Sequence, residues 1–328
     1  MRVKKCGKSG LNLPAISLGL WKGFIQNCDM NTVKYVFKLA FENGIVHFDT
    51  ANNYGKTRGD SEKVLGEILR TELKGKRDKI TIATKAGMPM WDGIYGQGLS
   101  KKHLIASLKQ SLYRMHIDYT DIFYLHRYDP ETPVMEVADS LRYLLDQGLI
   151  LYVGISNFPL AALRQYEEVF RNNGISIALA QMQYSLVDRS MDGEYFDFLD
   201  KHQIGFSAYS PMGQGTLTNK YIDLKNFTNT RVDEYLHSAK TEAVHQTDFY
   251  REFVRYFRRI VNLNNLAGRR GQTLSQLALA WLISNPKVST VVMGIGSPDH
   301  LAENLKCLES LAFTEQEMEA IDRICRER

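Results

Sequence analysis

Lys79 to Lys85 reads K-I-T-I-A-T-K, and Asp121 to His126 reads D-I-F-Y-L-H. Between them, Leu104, Leu108 and Leu112 recur at helical spacing, with Ser111 on the same face. Runs that are apolar along most of their length are the mark of parallel strands covered on both faces, and the intervening spacing is that of an amphipathic helix. The stretch is therefore a strand–helix–strand unit. Working outward, further strands are predicted at Ala15–Gly19, Ile45–Asp49, Ile150–Ile155, Ile177–Gln181, Gly205–Tyr209 and Ser289–Gly294. Val33, Phe37, Ala40 and Phe41 make another helical face, and Gly44, Gly148 and Gly174 mark helix ends. An open, doubly wound sheet accepts the same alternation. Eight consecutive units without a midpoint linker predict closure into a (β/α)8 TIM barrel spanning residues 1–328 as a single domain. Gly7-Lys8-Ser9-Gly10, between two short strand-like pieces, predicts an N-terminal hairpin that plugs the barrel floor. Gln214 to about Tyr250 is long, polar and irregular, an insertion after the seventh strand placed to cover the barrel mouth. An amphipathic C-terminal helix is predicted from about Thr314.

Composition narrows the class. Of 328 residues, 44% are hydrophobic and 24% charged, enough to bury a large core without disulfides or metals. Lys and Arg number 41 against 37 Asp and Glu, a surplus of +4 that is not gathered into a nucleic-acid-binding stripe. Arg251 to Arg270 is interleaved with Phe253, Tyr256, Phe257 and Ile260, the pattern of a wet helix face. Cys6, Cys28, Cys307 and Cys325 show neither zinc spacing nor a disulfide framework. No apolar run is long enough for a signal core or a membrane span, so a reduced, cytoplasmic setting is expected.

In such barrels the C-terminal ends of the strands carry the chemistry. The second predicted strand ends on Asp49, with Tyr54 in the loop that follows (D-T-A-N-N-Y-G); the third ends on Lys85 and the fourth on His126. Taken singly, Asp49 is a turn former, Lys85 a surface charge, His126 a core residue and Tyr54 one of 17 tyrosines. Their arrival at consecutive strand ends makes a set. A neighbouring ammonium is expected to lower the phenol's pKa, with Asp49 holding that ammonium charged. Tyr54 then protonates a carbonyl oxygen while a neutral His126 orients it. Trp21 and Trp91 are placed to line a substrate mouth, and Arg127 to reach a substrate phosphate or carboxylate. Gly55-Lys56-Thr57 is not a Walker loop, because the glycine required earlier in that motif is replaced by Thr50. His47 has no second ligand, so no metal site is expected.

The chain resembles the aldo-keto reductases. The resemblance rests on D-T-A-N-N-Y-G, T-K-A-G at Thr84–Gly87, Y-L-H-R at Tyr124–Arg127, G-I-S-N at Gly154–Asn157, Y-S-P-M-G-Q-G at Tyr209–Gly215 and E-N at Glu303–Asn304. Within that family, C-G-K-S-G-L, L-P-A-I-S-L-G-L-W and M-W-D-G-I-Y-G-Q-G look like the branch of bacterial glyceraldehyde-3-phosphate/methylglyoxal reductases and potassium-channel β subunits. The resemblance implies a catalytic tetrad of Asp49, Tyr54, Lys85 and His126. It also implies nicotinamide contacts from Ser156, Asn157, Gln181 and Tyr209, and pyrophosphate contacts from Ser210, Pro211, Met212, Gln214, Gly215, Thr218 and Lys220. Gly294, Gly296, Ser297 and His300 fall where the family meets the adenosine 2′-phosphate, and Glu303 and Asn304 where it holds adenine. Gly294–His300 (G-I-G-S-P-D-H) lacks the family's cationic side chain, so NADPH is the implied cofactor with NADH as the alternative; Asn219 stands where close relatives have Gly. Small aldehydes and ketones are the implied substrates, and a tetramer or larger ring the implied assembly. The alternative, from the channel branch, is a cofactor-binding, redox-sensing regulatory subunit. The short stretch before the first strand leaves that alternative little room for an arm acting on a partner.

Overall fold

The computed structural model describes residues 1–21, 28–218 and 248–326. Strand β1 (Val3–Lys5) pairs antiparallel with β2 (Asn12–Pro14), the predicted hairpin. Eight parallel strands then close a barrel: β3 (Ile16–Gly19), β4 (His47–Asp49), β5 (Thr81–Ala86), β6 (Thr120–Leu125), β7 (Ile150–Ser156), β8 (Ile177–Gln183), β9 (Gly205–Tyr209) and β10 (Thr290–Met293). Each pairs with its neighbours in chain order, and β10 returns to β3 through Val291 beside Ile16. The sequence placed every one of these strands within a few residues.

Helices α1 (Met30–Glu42), α2 (Asp60–Arg70), α3 (Lys101–Met115), α4 (Val134–Asp146), α5 (Leu160–Asn172) and α6 (Glu194–His202) alternate with the strands. Their ends follow local chemistry. Asp29 caps α1 by accepting from the amides of Asn31 and Thr32, at 2.9 and 3.0 Å. After α1, α4 and α5 the chain turns at Gly44, Gly148 and Gly174, all left-handed. Val33, Phe37 and Ala40 of α1 and Leu104, Leu108, Ser111 and Leu112 of α3 are buried as their spacing requires.

The chain divides into two compact units. The first, Met1–Gln183, Ser190–Tyr209 and Asn285–Ala302, holds the hairpin, the whole barrel and α1 to α6. Its floor is sealed by Cys6, Leu11 and Leu13 of the hairpin region, packed on Ala83, Ile122, Tyr124 and Leu179. The amide of Lys8 bonds to the carbonyl of Gln203 at 2.9 Å, and a Cβ at Gly7 would collide with that same carbonyl. With φ at +54°, only glycine passes there.

The second unit, Tyr184–Arg189, Ser210–Ser284 and Glu303–Arg328, contains α7 (Asp248–Arg269), α8 (Leu274–Ser284) and the C-terminal helix α10 (Glu315–Arg326). Helix α9 (Pro298–Leu305) spans the division. Within the second unit α8 is buried along nearly its whole length, and Arg270 ties to Glu317 at 2.7 Å while lying over the Phe313 ring. The predicted lid after β9 falls largely on residues 219–247, outside the described residues.

Candidate active site

Four side chains meet at the C-terminal rim of the first unit. β4 and β5 deliver Asp49 and Lys85 directly, and the ladder continues past β4 through the amides of Thr50 and Asn52 to the carbonyls of Ala83 and Lys85, at 2.9 and 3.1 Å. That continuation fixes the loop carrying Tyr54. The Tyr54 carbonyl accepts from the amides of Gly59 and Ser61, both at 3.2 Å, which starts α2. Gly55 turns the chain at φ +128°, where a Cβ would stand 2.5 Å from the Thr57 carbonyl. His126 follows β6, its amide bonded to Ala86 O at 2.8 Å.

The pair at the centre is buried. Lys85 Nζ donates to Asp49 Oδ1 and to the Thr50 carbonyl, the latter at 2.8 Å, with Lys85 0% and Asp49 2% exposed. Gln181 Nε2 donates to the other carboxylate oxygen at 2.8 Å, so Asp49 is held from both sides of the barrel. Burial pushes the Lys85 pKa down, and Asp49 opposes that shift. Tyr54 Oη lies 3.4 Å from His126 Nε2, the rings meeting edge to face. Lys85 Nζ sits 5.1 Å from the centre of the Tyr54 ring. The imidazole is kept neutral, its pKa driven well below the ordinary value by burial, then by Lys85 and Arg127. Among the described residues His126 Nδ1 has no hydrogen-bond partner.

Tyr54 departs from expectation. Its pKa is raised well above the ordinary value, by burial first and then by Asp49 and Tyr209. Desolvation, which a strand-end spacing does not reveal, outweighs the ammonium here. The phenol is thus a firmly protonated donor at neutral pH.

The amide-bearing residues expected at the nicotinamide surround the same rim. Asn157, left-handed at φ +57°, donates through Nδ2 to the His126 carbonyl and to Ser156 Oγ, both at 3.0 Å, and accepts from Tyr209 Oη at 2.7 Å. Asn157 therefore fastens the β9 end to the β6 end. Gln181 Nε2 also reaches Ser207 Oγ at 3.4 Å. Of the residues expected at a substrate mouth, Trp91 packs on His103 at 4.8 Å, Arg127 Nη2 donates to Gln97 Oε1 at 3.0 Å, and Trp21 stands 52% exposed beyond β3.

In the second unit, Ser210 and Gln214 are left-handed, as are Gly213 and Gly215. The amides of Gly213, Gly215, Thr216, Leu217 and Thr218 all bond within the turn, and Thr216 Oγ1 is anchored to Tyr256 Oη at 2.8 Å. Pro211 is buried and Met212 and Thr218 half-buried; Lys220 and Asn219 lie outside the described residues. Glu303 is exposed, its carbonyl taken by Gln276 Nε2 at 2.8 Å, and Asn304 is buried. At the start of α9, Ser297 Oγ accepts from the His300 amide at 3.2 Å, and Gly294 and Gly296 precede it.

Sequence reasoning missed two supports. Glu62 of α2, fully buried, accepts from Thr84 Oγ1 at 2.5 Å and pairs with Arg114 of α3 at 2.7 Å, locking α2 against the strand that carries Lys85. Its signal was an acid on the apolar face, in register with Leu65 and Gly66. The bond from Gln181 to Asp49 crosses 132 residues and leaves no local trace.

Among the described residues no helix is long and apolar enough to cross a membrane, and no three His, Cys, Asp or Glu converge on a metal-sized site.

The chain belongs to the aldo/keto reductase family, whose model matches residues 15–326. The protein is an oxidoreductase of that family. It is 38% identical to L-glyceraldehyde 3-phosphate reductase of Escherichia coli (strain K12) over 324 residues, 98% of this chain and 92% of that one. It is also 30% identical over 315 residues to a probable voltage-gated potassium channel subunit beta of Arabidopsis thaliana, covering 94% of this chain and 92% of the relative. A counterpart from Oryza sativa subsp. japonica is 29% identical over 330 residues, 99% and 95% of the two chains.

Proposed function

We propose that this protein is a single-domain reductase of small aldehydes and ketones, of the methylglyoxal or glyceraldehyde 3-phosphate kind, with Tyr54 as the proton donor. The observation that carries this is a protonated phenol 3.4 Å from a neutral, buried imidazole, with a buried ion pair beneath both. The side chains at the ends of β7, β8 and β9 suit a nicotinamide. Ser156, Asn157 and Gln181 offer amide and hydroxyl groups for a carboxamide, and the half-buried ring of Tyr209, fastened through its hydroxyl, offers an aromatic face.

A reduced nicotinamide dinucleotide supplies the hydride when bound. Tyr54 and His126 take the carbonyl oxygen between them, so that negative charge growing on oxygen meets an O–H and an imidazole N–H. The phenolic O–H bond breaks and its proton passes to that oxygen, completing the alcohol. Raised acidity is not required of Tyr54, because an alkoxide oxygen is more basic than any phenolate. Lys85, held by Asp49, Gln181 and the Thr50 carbonyl, places its positive charge beneath the ring that becomes a phenolate. Asp49 pairs with that charge and opposes the loss of its proton on burial.

Both NADPH and NADH are proposed as cofactors, NADPH preferred only modestly, since Gly294–His300 carries no Lys or Arg. Steady-state rates with methylglyoxal, glyceraldehyde 3-phosphate and an aromatic aldehyde, each with NADPH and NADH, test the whole proposal. Turnover with each cofactor is expected. Tightly retained cofactor with no turnover would replace the reductase by the redox-sensing alternative.

A further inference from the structure

The residue after His126 is a cation without a direct ion pair among the described residues. Arg127 is half-buried, and among the described residues its guanidinium has no carboxylate within ion-pair distance. Its one hydrogen-bond partner is the neutral Gln97, at the end of the loop after β5. The acid whose charge Arg127 feels is Asp129, whose oxygens accept hydrogen bonds from other groups and not from the guanidinium. Oδ2 takes the Leu99 amide at 2.7 Å and Thr132 Oγ1 at 2.8 Å, while Oδ1 takes the Glu131 amide at 3.0 Å. Asp129 thus ties the loop after β5 to the loop after β6, and Gln97 holds the guanidinium from the same loop. A guanidinium has five N–H donors in a rigid fork; one is used here, so a face of the fork remains for an anion. Arg127 follows His126 directly in the chain, and that imidazole feels its charge.

We propose that Arg127, held by Gln97, is the phosphate-recognising residue of this site, so that the preferred substrates are aldehydes and ketones carrying a phosphate group. A short phosphorylated carbonyl compound has its anion a few bonds from the carbonyl carbon, a separation that neighbouring residues serve. Arg serves a phosphate better than Lys because two parallel N–H groups meet two oxygens. Gln97 acts as a positioning residue that sets the plane of the fork. The inference rests on the carbonyl reduction proposed at Tyr54.

Its test compares glyceraldehyde 3-phosphate with glyceraldehyde, and adds binding of glycerol 3-phosphate measured by calorimetry without turnover. The expected wild-type ratio of kcat/KM favours the phosphate. In Arg127→Met that ratio falls about 30-fold, the scale of one lost charge-assisted hydrogen bond or slightly more, and glycerol 3-phosphate binding weakens alongside. Arg127→Lys gives an intermediate ratio, and Gln97→Leu lowers it by about 3-fold. Unfolding temperatures of all three variants confirm that folded protein is compared. If Arg127→Met leaves both the ratio and the binding unchanged while both sugars are still reduced, the subsite is wrong and the reductase stands. If no carbonyl compound is reduced but glycerol 3-phosphate binding depends on Arg127, the reductase proposal fails and the anion subsite survives. A larger dependence on Arg127 for glyoxylate, a carboxylate aldehyde, than for the phosphate would overturn the assignment to phosphate.

Discussion

The two ends of one barrel are built on opposite principles. At the floor, Cys6, Leu11 and Leu13 close against Ala83, Ile122 and Leu179, with no charge in the cluster. At the rim of the same barrel an ammonium, a carboxylate and an imidazole are withdrawn from water, beside a half-buried phenol. Burying apolar side chains at the floor stabilises the fold by roughly 1.5–3 kcal/mol for each one fully removed from water. Burying charge at the rim costs several kcal/mol per ion, which the ion pair and its extra hydrogen bonds offset. The contrast separates the end that stabilises the fold from the end that carries the groups proposed for its chemistry. The rim is tolerable because Asp49 receives Lys85 on one oxygen and Gln181 on the other.

Substitutions at each end should separate the two principles. The largest effect is expected for Tyr54→Phe. Turnover falls by at least about 10³-fold, the upper range of a lost general acid, while the unfolding temperature scarcely moves. A kcat within tenfold of wild type would remove Tyr54 as donor. Next comes Lys85→Met, which leaves Asp49 buried with no counter-ion. Stability should drop by about 3–5 kcal/mol in urea unfolding, and adding Asp49→Asn should recover most of it. If the double variant is as unstable as the single, the rim is not held by charge pairing. At the floor, Leu13→Ala should cost about 2–5 kcal/mol and leave the turnover of folded enzyme unaltered. Activity lost in proportion to that destabilisation would erase the division between the ends.

The smallest effect is a pH dependence. Burial holds His47 and His126 below their ordinary pKa, so both stay neutral in the fold where the unfolded chain already takes up protons. The unfolded state then binds more protons below about pH 6.5, and stability falls as the pH falls through that window. Each histidine contributes a slope of up to roughly 1.4 kcal/mol per pH unit. His126→Asn should remove its share, read from urea midpoints between pH 6.5 and 5; an unchanged slope would mean that the imidazole is not held neutral.

Much of this was legible in the chain. β-branched runs and four-residue spacings are local, so all eight strands and the stops at Gly44, Gly148 and Gly174 could be placed beforehand. Asp49, Lys85 and His126 could be gathered because parallel strands in a barrel all point their C-terminal ends one way. Glu62 escaped notice because its partners Thr84 and Arg114 come from two other elements. Arg127 was seen as a cation, but its lack of an ionic partner depends on where Asp129 spends its oxygens.

By itself, then, the sequence determined the order of strands and helices, the turns that permit it and the four side chains brought to one rim, since each follows from spacing along the chain. Tertiary structure alone decided their protonation and their supports. Closing the barrel excludes water, and that desolvation raises the Tyr54 pKa, lowers those of Lys85 and His126, and brings Gln181 across to hold Asp49.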